Sequence, residues 1–174
     1  MPDPLKGRGR ALDIGCGSGK STSTLIDMGY EVSGTDISRE AVSICTDRFG
    51  SGMFLEGSVL SLPYPDSSFD YAVAVHVLEH ITDVDMHRAV SEIRRILKPG
   101  GYLFIRDFAP GDMREGSRAD SDIVYIHRSP EDILSFFDGF SVVSCETVES
   151  RTRFGSVRCR AELLLRENDK NPGQ

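Results

Sequence analysis

The feature that most constrains the fold is a glycine-rich stretch near the start of the chain, RALDIGCGSGKSTS at residues 10–23. An apolar run that contains one acid, Asp13, ends in alternating glycines, and a helix-compatible segment, Lys20 to Met28, follows. The glycines are Gly15, Gly17 and Gly19. A strand, a glycine turn and a helix in this order build a ligand site at the carboxyl end of a strand in an open α/β sheet. Because glycine lacks a Cβ atom, the backbone of this turn can approach a ligand closely.

The spacing of the glycines separates three ligand classes. A phosphate-binding P-loop follows G-x-x-x-x-G-K-[ST]; Gly19, Lys20 and Ser21 match its end, but its first glycine falls on Ile14, which disfavours positive φ. The dinucleotide fingerprint G-x-G-x-x-G meets Lys20 where its third glycine belongs. The pattern that does match is D-x-G-x-G-x-G, from Asp13 to Gly19, and we expect no magnesium-dependent affinity for ATP.

A second acid ends the next predicted strand. Residues 30–36, YEVSGTD, predict a second strand that ends in Asp36. An acid there can accept hydrogen bonds from both ribose hydroxyls. The alternative is that Asp36 caps the next helix. Ser38 is the better cap because Arg39 and Glu40 follow it, so we favour the ribose role for Asp36.

Size, charge and cysteine usage narrow the function classes. The chain has 174 residues, enough for one domain that buries about 70% of its unfolded surface. A net charge of −7 argues against a nucleic-acid backbone as the main substrate. No apolar run approaches the roughly 18 residues of a membrane span, and no signal peptide is expected. The cysteines lack metal-site spacing and predict reduced thiols of a cytoplasmic protein without a bound metal. They are Cys16, Cys45, Cys145 and Cys159.

The Asp13–Gly19 pattern closely resembles motif I of the class I S-adenosylmethionine-dependent methyltransferases, and later stretches resemble further motifs of that family in the same order. Residues 61–70, SLPYPDSSFD, and Val77–Ile81, VLEHI, are similar to the branch that methylates small molecules such as quinones and sterols. Residues 97–103, LKPGGYL, match another superfamily motif. The N-P-P-[YF] motif of enzymes that methylate DNA bases or glutamine amides is missing, which disfavours that chemistry.

The resemblance implies a fold. We expect a single-domain, Rossmann-like methyltransferase fold of the α/β class, with helices on both faces of a seven-stranded, mostly parallel sheet. The family's strand order is 3-2-1-4-5-7-6, with strand 7 antiparallel. The domain is expected at residues 10–165, after a flexible segment at 1–9 and before a disordered tail at 166–174.

The resemblance also implies the cofactor, S-adenosylmethionine, whose product is S-adenosylhomocysteine, and the residues that bind it. Ser58 stands where the family often has an aspartate at the adenine, and its hydroxyl can also donate and accept. Ile37 and Val59 either enclose the adenine or only pack in the core. The expected cofactor-binding residues are Asp13, Gly15, Cys16, Gly17, Gly19, Asp36, Ile37, Gly57, Ser58, Val59 and His76.

Two histidines are the candidate catalytic residues. His76 follows the fourth predicted strand, beside the expected methyl position, and a histidine can act as a base near neutral pH if the acceptor is a hydroxyl. His80 lies one helical turn further on and has either a functional or a scaffolding role. Glu79, between them, is expected to face elsewhere.

The long connection from Phe108 to Ser129, which is the expected cap of the last predicted helix, predicts a lid or a substrate loop. Phe108, Tyr125 and His127 are its candidate substrate contacts, together with Asp107 at the end of the preceding strand. Tyr125 and His127 could instead form, with Arg128, a short element that seals the core. Many small-molecule methyltransferases place lid helices before motif I, and few residues precede it here. We therefore expect either an unusually open site or one that a later insertion, a homodimer or a partner subunit covers.

Two function classes follow from these expectations. The first is a methyltransferase that acts on a small-molecule acceptor by in-line displacement, with proximity and orientation as the main contribution of the protein. The second is a cofactor-binding subunit that is catalytically silent or depends on a partner. The two acids, Asp13 and Asp36, favour the first.

Overall fold

The computed structural model describes residues 1–50, 53–115 and 125–168. The strands are β1 (Arg10–Ile14), β2 (Glu31–Asp36), β3 (Phe54–Glu56), β4 (Phe69–Val75), β5 (Leu97–Phe108), β6 (Phe140–Arg151) and β7 (Val157–Glu167). The helices are α1 (Lys20–Asp27), α2 (Arg39–Phe49), α3 (Asp83–Ile96) and α4 (Pro130–Leu134), with a 3₁₀ helix at Leu78–His80.

One sheet contains all seven described strands, in the order β3-β2-β1-β4-β5-β7-β6. Strands β1 to β5 pair in parallel, and β7 runs antiparallel to both of its neighbours, β5 and β6. The predicted fold class and strand order are confirmed.

Buried apolar runs explain the central strands, because a parallel sheet covered on both faces needs apolar side chains on both. Consecutive residues of β1 point to opposite faces: Leu12 packs in the cluster that contains Met86 and Ile93 of α3, and Ala11 packs in the cluster that contains Leu25 of α1. Helices therefore cover both faces, and the loops after β1 to β4 meet at one edge.

The starts of two helices follow the predicted capping residues. The Ser38 side chain accepts a hydrogen bond from the Ala41 N–H at the start of α2. Ser129 and Asp132 form a capping box at the start of α4, with Pro130 in the first turn. These side chains satisfy backbone donors that a helix start leaves unpaired.

Strand β7 continues through Glu167 and so includes the first two residues of the predicted tail. The Glu167 carboxylate is buried and accepts hydrogen bonds from the Arg94 guanidinium at 3.1 Å and from the Gly100 N–H at 3.2 Å. These partners, distant along the chain, hold the last turn of the strand. Residues 169–174 of the predicted tail lie outside the described residues.

The first residues contact the face of the sheet that α1 covers. The Tyr30 hydroxyl donates to Asp3 at 2.6 Å, and the Tyr71 hydroxyl donates to the Pro2 carbonyl at 3.1 Å. The expected flexibility of residues 1–9 stays a prediction. No helix within the described ranges is long and apolar enough to cross a membrane.

Candidate functional site

A cavity of about 770 Å³ lies where the loops after β1 to β4 meet. This volume is within the range of small-molecule sites, roughly 300–1,000 Å³. One side, which we call the glycine wall, consists of Ile14, Gly15, Gly17, Thr35, Asp36, Ile37, Gly57, Ser58 and Val59. The other side, the histidine wall, consists of His76, Val77, His80, Ile81, Thr82, Tyr125 and Ile126.

The glycine turn is bonded to the end of β2. The Gly15 and Cys16 N–H groups both donate to the Thr35 carbonyl, at 2.7 and 3.0 Å. Gly15 has a φ of 71°, and a Cβ atom there would lie 2.5 Å from the Val77 side chain. Only glycine fits at this position, which brings the two walls into contact.

Asp36 connects two loops of the glycine wall. One carboxylate oxygen accepts the Gly17 N–H and the other accepts the Ser38 N–H, each at 2.9 Å. Ser38 itself caps α2, as predicted. Because each carboxylate oxygen has a second lone pair, Asp36 can still accept hydrogen bonds from a ligand in the cavity.

Asp13 lies behind the glycine turn, outside the cavity lining, and its side chain is 1% exposed. The Thr22 hydroxyl donates to one carboxylate oxygen at 2.6 Å, and the other oxygen has no hydrogen-bond partner among the described residues. Burial raises the pKa of Asp13 to about 7. A buried acceptor without a donor is costly, so this oxygen is suited to a ligand that brings one.

Two predicted cofactor contacts, Cys16 and Gly19, also lie outside the lining. Cys16 is buried against Cys45 and Phe54 beneath the turn. Gly19 begins α1 at a φ of 79°, where a Cβ atom would meet the Phe49 ring at 2.5 Å. In the structure both residues pack the turn against α2.

The adenine-side candidates differ in exposure. Ile37 lines the cavity and is 76% exposed, so it does not pack in the core. Val59 lines the cavity and also belongs to the core cluster. Gly57 and Ser58 also line the cavity, and the Ser58 hydroxyl accepts the Leu60 N–H at 3.2 Å.

His76 lies directly after β4, at the junction of the two walls. Its φ of 60° is in the left-handed region, which is uncommon for residues other than glycine and costs of order 1–3 kcal/mol. Its ring lies 4.2 Å from the ring of Phe108, and Nδ1 lies 3.1 Å from Glu79 Oε2. The ring is one-third exposed, at 33%, and therefore accessible from the cavity.

The expectation that Glu79 faces elsewhere is wrong. Its side chain is 1% exposed and lies between the two histidines, with Oε1 3.7 Å from His80 Nε2. Oε2 also accepts the Phe108 N–H at 2.8 Å. His76 precedes the 3₁₀ turn and has a left-handed φ of 60°, and this local geometry brings Glu79 back beside its ring. An acid within a largely apolar run next to two histidines was the signal in the sequence.

Asp107, at the end of β5, is a second acid beside the two histidines. It is buried, and one oxygen accepts the Val77 N–H at 3.1 Å. The other oxygen has no hydrogen-bond partner in the described part of the chain. Burial and the negative charge of Glu79 raise the pKa of Asp107 to about 8. Near neutral pH it therefore holds a proton.

His76, Glu79 and Asp107 have the donor types of a metal site, with ligand atoms within 4.8 Å of one another. His76 Nδ1 and Glu79 Oε2 are, however, hydrogen-bonded to each other. We interpret the trio as a group that holds and moves protons.

The candidate substrate residues separate into two groups. Tyr125 lines the cavity, with its ring 4.7 Å from that of His80. Phe108 lies beneath His76, outside the lining. His127 is also outside it, and its ring stacks at 6.1 Å on that of Phe108. Residues 116–124 of the predicted lid lie outside the described residues.

Arg128 holds the histidine wall together. Its buried guanidinium donates to the Leu78 carbonyl at 3.0 Å, the Ile81 carbonyl at 2.7 Å and the Asp83 carboxylate at 2.6 Å. The backbone N–H of Ile126 also donates to the Glu79 carbonyl at 2.7 Å. Residues 125–128 are thus fixed to the 3₁₀ turn.

Comparisons with known proteins agree with this geometry. A family model described as a methyltransferase domain matches residues 12–105. The 27-O-demethylrifamycin SV methyltransferase of Amycolatopsis mediterranei is 33% identical over 128 residues, 70% of this chain and 46% of that protein. The ubiquinone biosynthesis O-methyltransferase of Sinorhizobium fredii is 35% identical over 108 residues, 60% of this chain and 42% of that protein.

A solved structure shows the same fold. A methyltransferase from Methanosarcina mazei superposes with a TM-score of 0.80 at 23% identity and covers 95% of each chain. The chain spans less than half of the length of the two curated relatives named above. Because the family model covers more than half of the chain, the protein belongs to the methyltransferase domain family, whose cofactor is S-adenosylmethionine.

Proposed function

We propose that the protein methylates a hydroxyl group of a small-molecule acceptor, with S-adenosylmethionine as the donor. The observation that carries the proposal is the position of His76. It lines the cavity next to Val77, and its backbone has a strained, left-handed φ of 60°. One relative is named an O-methyltransferase and the other a methyltransferase of 27-O-demethylrifamycin SV, and both names support a hydroxyl acceptor.

The residues of the glycine wall fit this cofactor. Asp36 offers free lone pairs in the cavity for ribose hydroxyls. Asp13 has a buried acceptor without a partner among the described residues, close behind Gly15, which suits an ammonium group of the cofactor. Ile37 presents an exposed apolar surface on which an adenine can lie.

The chemistry assigned to the protein itself is positioning and proton transfer. S-adenosylmethionine, when bound, supplies a methyl group activated by a sulfonium. The apolar side chains of Val77, Ile81 and Ile126 line the histidine wall and exclude water from the acceptor. Nε2 of His76 accepts the hydroxyl proton of the acceptor, since Nδ1 is bonded to Glu79.

Isothermal titration with S-adenosylmethionine and S-adenosylhomocysteine tests the proposal, with Mg-ATP and NAD as ligand controls. We expect both adenosyl ligands to bind and Asp36→Ala to weaken them roughly 10- to 100-fold, because hydrogen bonds to a charged group are lost. Asp27→Ala, an exposed acid at the end of α1, is the matched control and leaves the affinity unchanged. The absence of heat with either adenosyl ligand contradicts the proposal for this chain.

A second candidate function is a cofactor-binding subunit that is silent alone and acts with a partner or as a homodimer. Exposed apolar side chains near the cavity favour it: Ile37 is 76% exposed, and Val84, two residues after Thr82, is 88% exposed. Light scattering of the purified chain with and without S-adenosylhomocysteine gives its oligomeric state. Binding without transfer to a panel of hydroxylated acceptors, alone, supports this second candidate. The cytoplasmic location stays a prediction.

A further inference from the structure

We infer that Glu79 is a positioning residue: its buried carboxylate accepts the Nδ1 proton of His76 and so presents an unprotonated Nε2 to the cavity. The inference rests on the proposed function for its catalytic meaning. The assignment of the histidine tautomer is a property of the folded chain and is testable without any acceptor.

Two contacts fix the orientation of the Glu79 carboxylate. Oε2 is fixed by the Phe108 N–H at 2.8 Å, and the same oxygen lies 3.1 Å from His76 Nδ1. An ionised carboxylate only accepts hydrogen bonds, so the proton between these atoms belongs to the imidazole. The left-handed backbone of His76 and the Phe108 ring beneath it keep the imidazole in this orientation.

A second acid, Asp107, limits the negative charge of this buried group. Asp107 is buried beside Glu79, and burial together with the charge of Glu79 raises the pKa of Asp107 to about 8. A proton on Asp107 near neutral pH leaves a single negative charge in this buried group. That charge lies next to His76, where a positive charge appears when the base takes up a proton.

The proposed step involves the acceptor, the cofactor and His76. The O–H bond of the acceptor breaks, its proton forms a bond to Nε2 of His76, and the electron pair stays on the acceptor oxygen. With the cofactor bound, that oxygen would form its bond to the methyl carbon as the bond from this carbon to the sulfonium sulfur breaks and leaves its electron pair on sulfur. His76 becomes an imidazolium, still bonded through Nδ1 to Glu79, so the two charges neutralise each other.

Other charged or titratable groups face this site from each packed element. His80 lies 3.7 Å from the second oxygen of Glu79, on the same turn. Arg114 lies over the Phe108 ring at 4.4 Å, and His127 stacks on the same ring. Arg128 binds the Leu78 carbonyl. Among these groups, Glu79 is the one hydrogen-bonded to Nδ1 of His76.

Nitrogen-15 NMR of histidine-labelled protein tests the inference on the full chain. His76→Asn, which removes the ring at a position where asparagine tolerates the left-handed conformation, assigns the His76 signals. We expect the neutral ring of the wild type to carry its proton on Nδ1, and the shifts to stay unchanged when Zn²⁺ or Mg²⁺ is added. A proton on Nε2, or a metal-induced shift of Nδ1, overturns the inference.

Glu79→Gln tests the charge, because the amide oxygen can keep both hydrogen bonds of the carboxylate. We expect S-adenosylhomocysteine affinity within twofold of wild type, and kcat at least tenfold lower with little change in KM for any acceptor that the wild type methylates. An unchanged kcat overturns the role of Glu79. If the wild type binds no adenosyl ligand, the proposed function fails, whereas the tautomer measurement still decides whether Glu79 positions His76.

Discussion

Three buried carboxylates, Asp13, Glu79 and Asp107, lie beside the cavity, and each has one hydrogen-bonded oxygen and one oxygen without such a partner in the described ranges. A buried polar atom of this kind costs of order 1–3 kcal/mol. Such a cost is typical of functional sites, where the missing partner is a ligand or a moving proton. The acids of the site are therefore expected to reduce stability and support activity.

Asp13→Asn separates these two effects. Burial raises the folded-state pKa of Asp13 from 3.8 to about 7, so the folded chain binds this proton more tightly than the unfolded chain. The stabilisation from Asp13 is thus complete below its unfolded pKa and is lost as pH rises from about 4 to about 7, by roughly 1.4 kcal/mol per unit at most.

Asparagine does not ionise and can still accept the Thr22 hydroxyl, so we expect the variant to be more stable than wild type at about pH 8, by a few degrees in Tm. The difference should shrink towards about pH 5. S-adenosylhomocysteine affinity should fall in the same variant. Thermal unfolding measures the stability and calorimetry measures the affinity, with Asp27→Asn, at an exposed position, as the control. A Tm of Asp13→Asn below that of wild type at about pH 8 contradicts the assigned cost of ionised Asp13.

Sequence reasoning identified the site residues that belong to motifs. It could not place the residues that the fold brings to the site from other elements. Asp36 ends β2 and His76 directly follows β4, where parallel sheets place ligand contacts, and both line the cavity. Glu79 was assigned to the wrong side because the sequence does not reveal the left-handed backbone of His76 or the short 3₁₀ turn after it. Asp107 comes next to His76 only through the pairing of β5 with β4, a contact between residues distant along the chain.

At the scale of elements, the histidine wall depends on one connection between the 3₁₀ turn and the segment before α4. Arg128 donates to two carbonyls and one carboxylate across this connection, and its guanidinium is buried. The planar guanidinium matches several acceptors at once, which a lysine ammonium on a flexible stem does not.

Arg128→Lys should therefore lower the unfolding free energy by about 1–3 kcal/mol, because buried acceptors lose their donors. Urea unfolding measures this change. Arg39→Lys, at an exposed position in the first turn of α2, is the matched control and should change stability by less than about 0.5 kcal/mol. Equal stability of the two variants would show that Arg128 does not hold the wall.

Element bounds were predicted best where a local signal ends the element. The caps Ser38 and Ser129 begin helices as predicted, since capping is decided within four residues. The last residue of β7 and the first residue of β5 were less predictable. Strand β7 extends to Glu167 because distant residues bind the side chain of Glu167. Strand β5 begins at Leu97, where it pairs with Phe69. Sequence patterns do not show such partners.

For the whole molecule, the antiparallel strand β7 ties the end of the chain to the site. It lies between β5 and β6, and its fully buried Leu163 pairs with Ile105 on one side and Cys145 on the other. Strand β5 ends in Asp107 and Phe108, which support His76 from below. Loss of the β6–β7 hairpin is therefore expected to remove the support of the histidine wall.

Leu163→Ala tests whether the hairpin and the cavity unfold as one unit. We expect the free energy of unfolding to fall by about 2–5 kcal/mol, because the cavity left in the core is not refilled. Each kcal/mol corresponds to roughly 2–4 °C in Tm. Val143→Ala, on the exposed side of β6, is the matched control and should stay within about 0.5 kcal/mol. Far-UV circular dichroism and tyrosine fluorescence should give one coincident transition. A first transition that leaves S-adenosylhomocysteine binding intact would instead show that the hairpin unfolds independently and that the site does not need it.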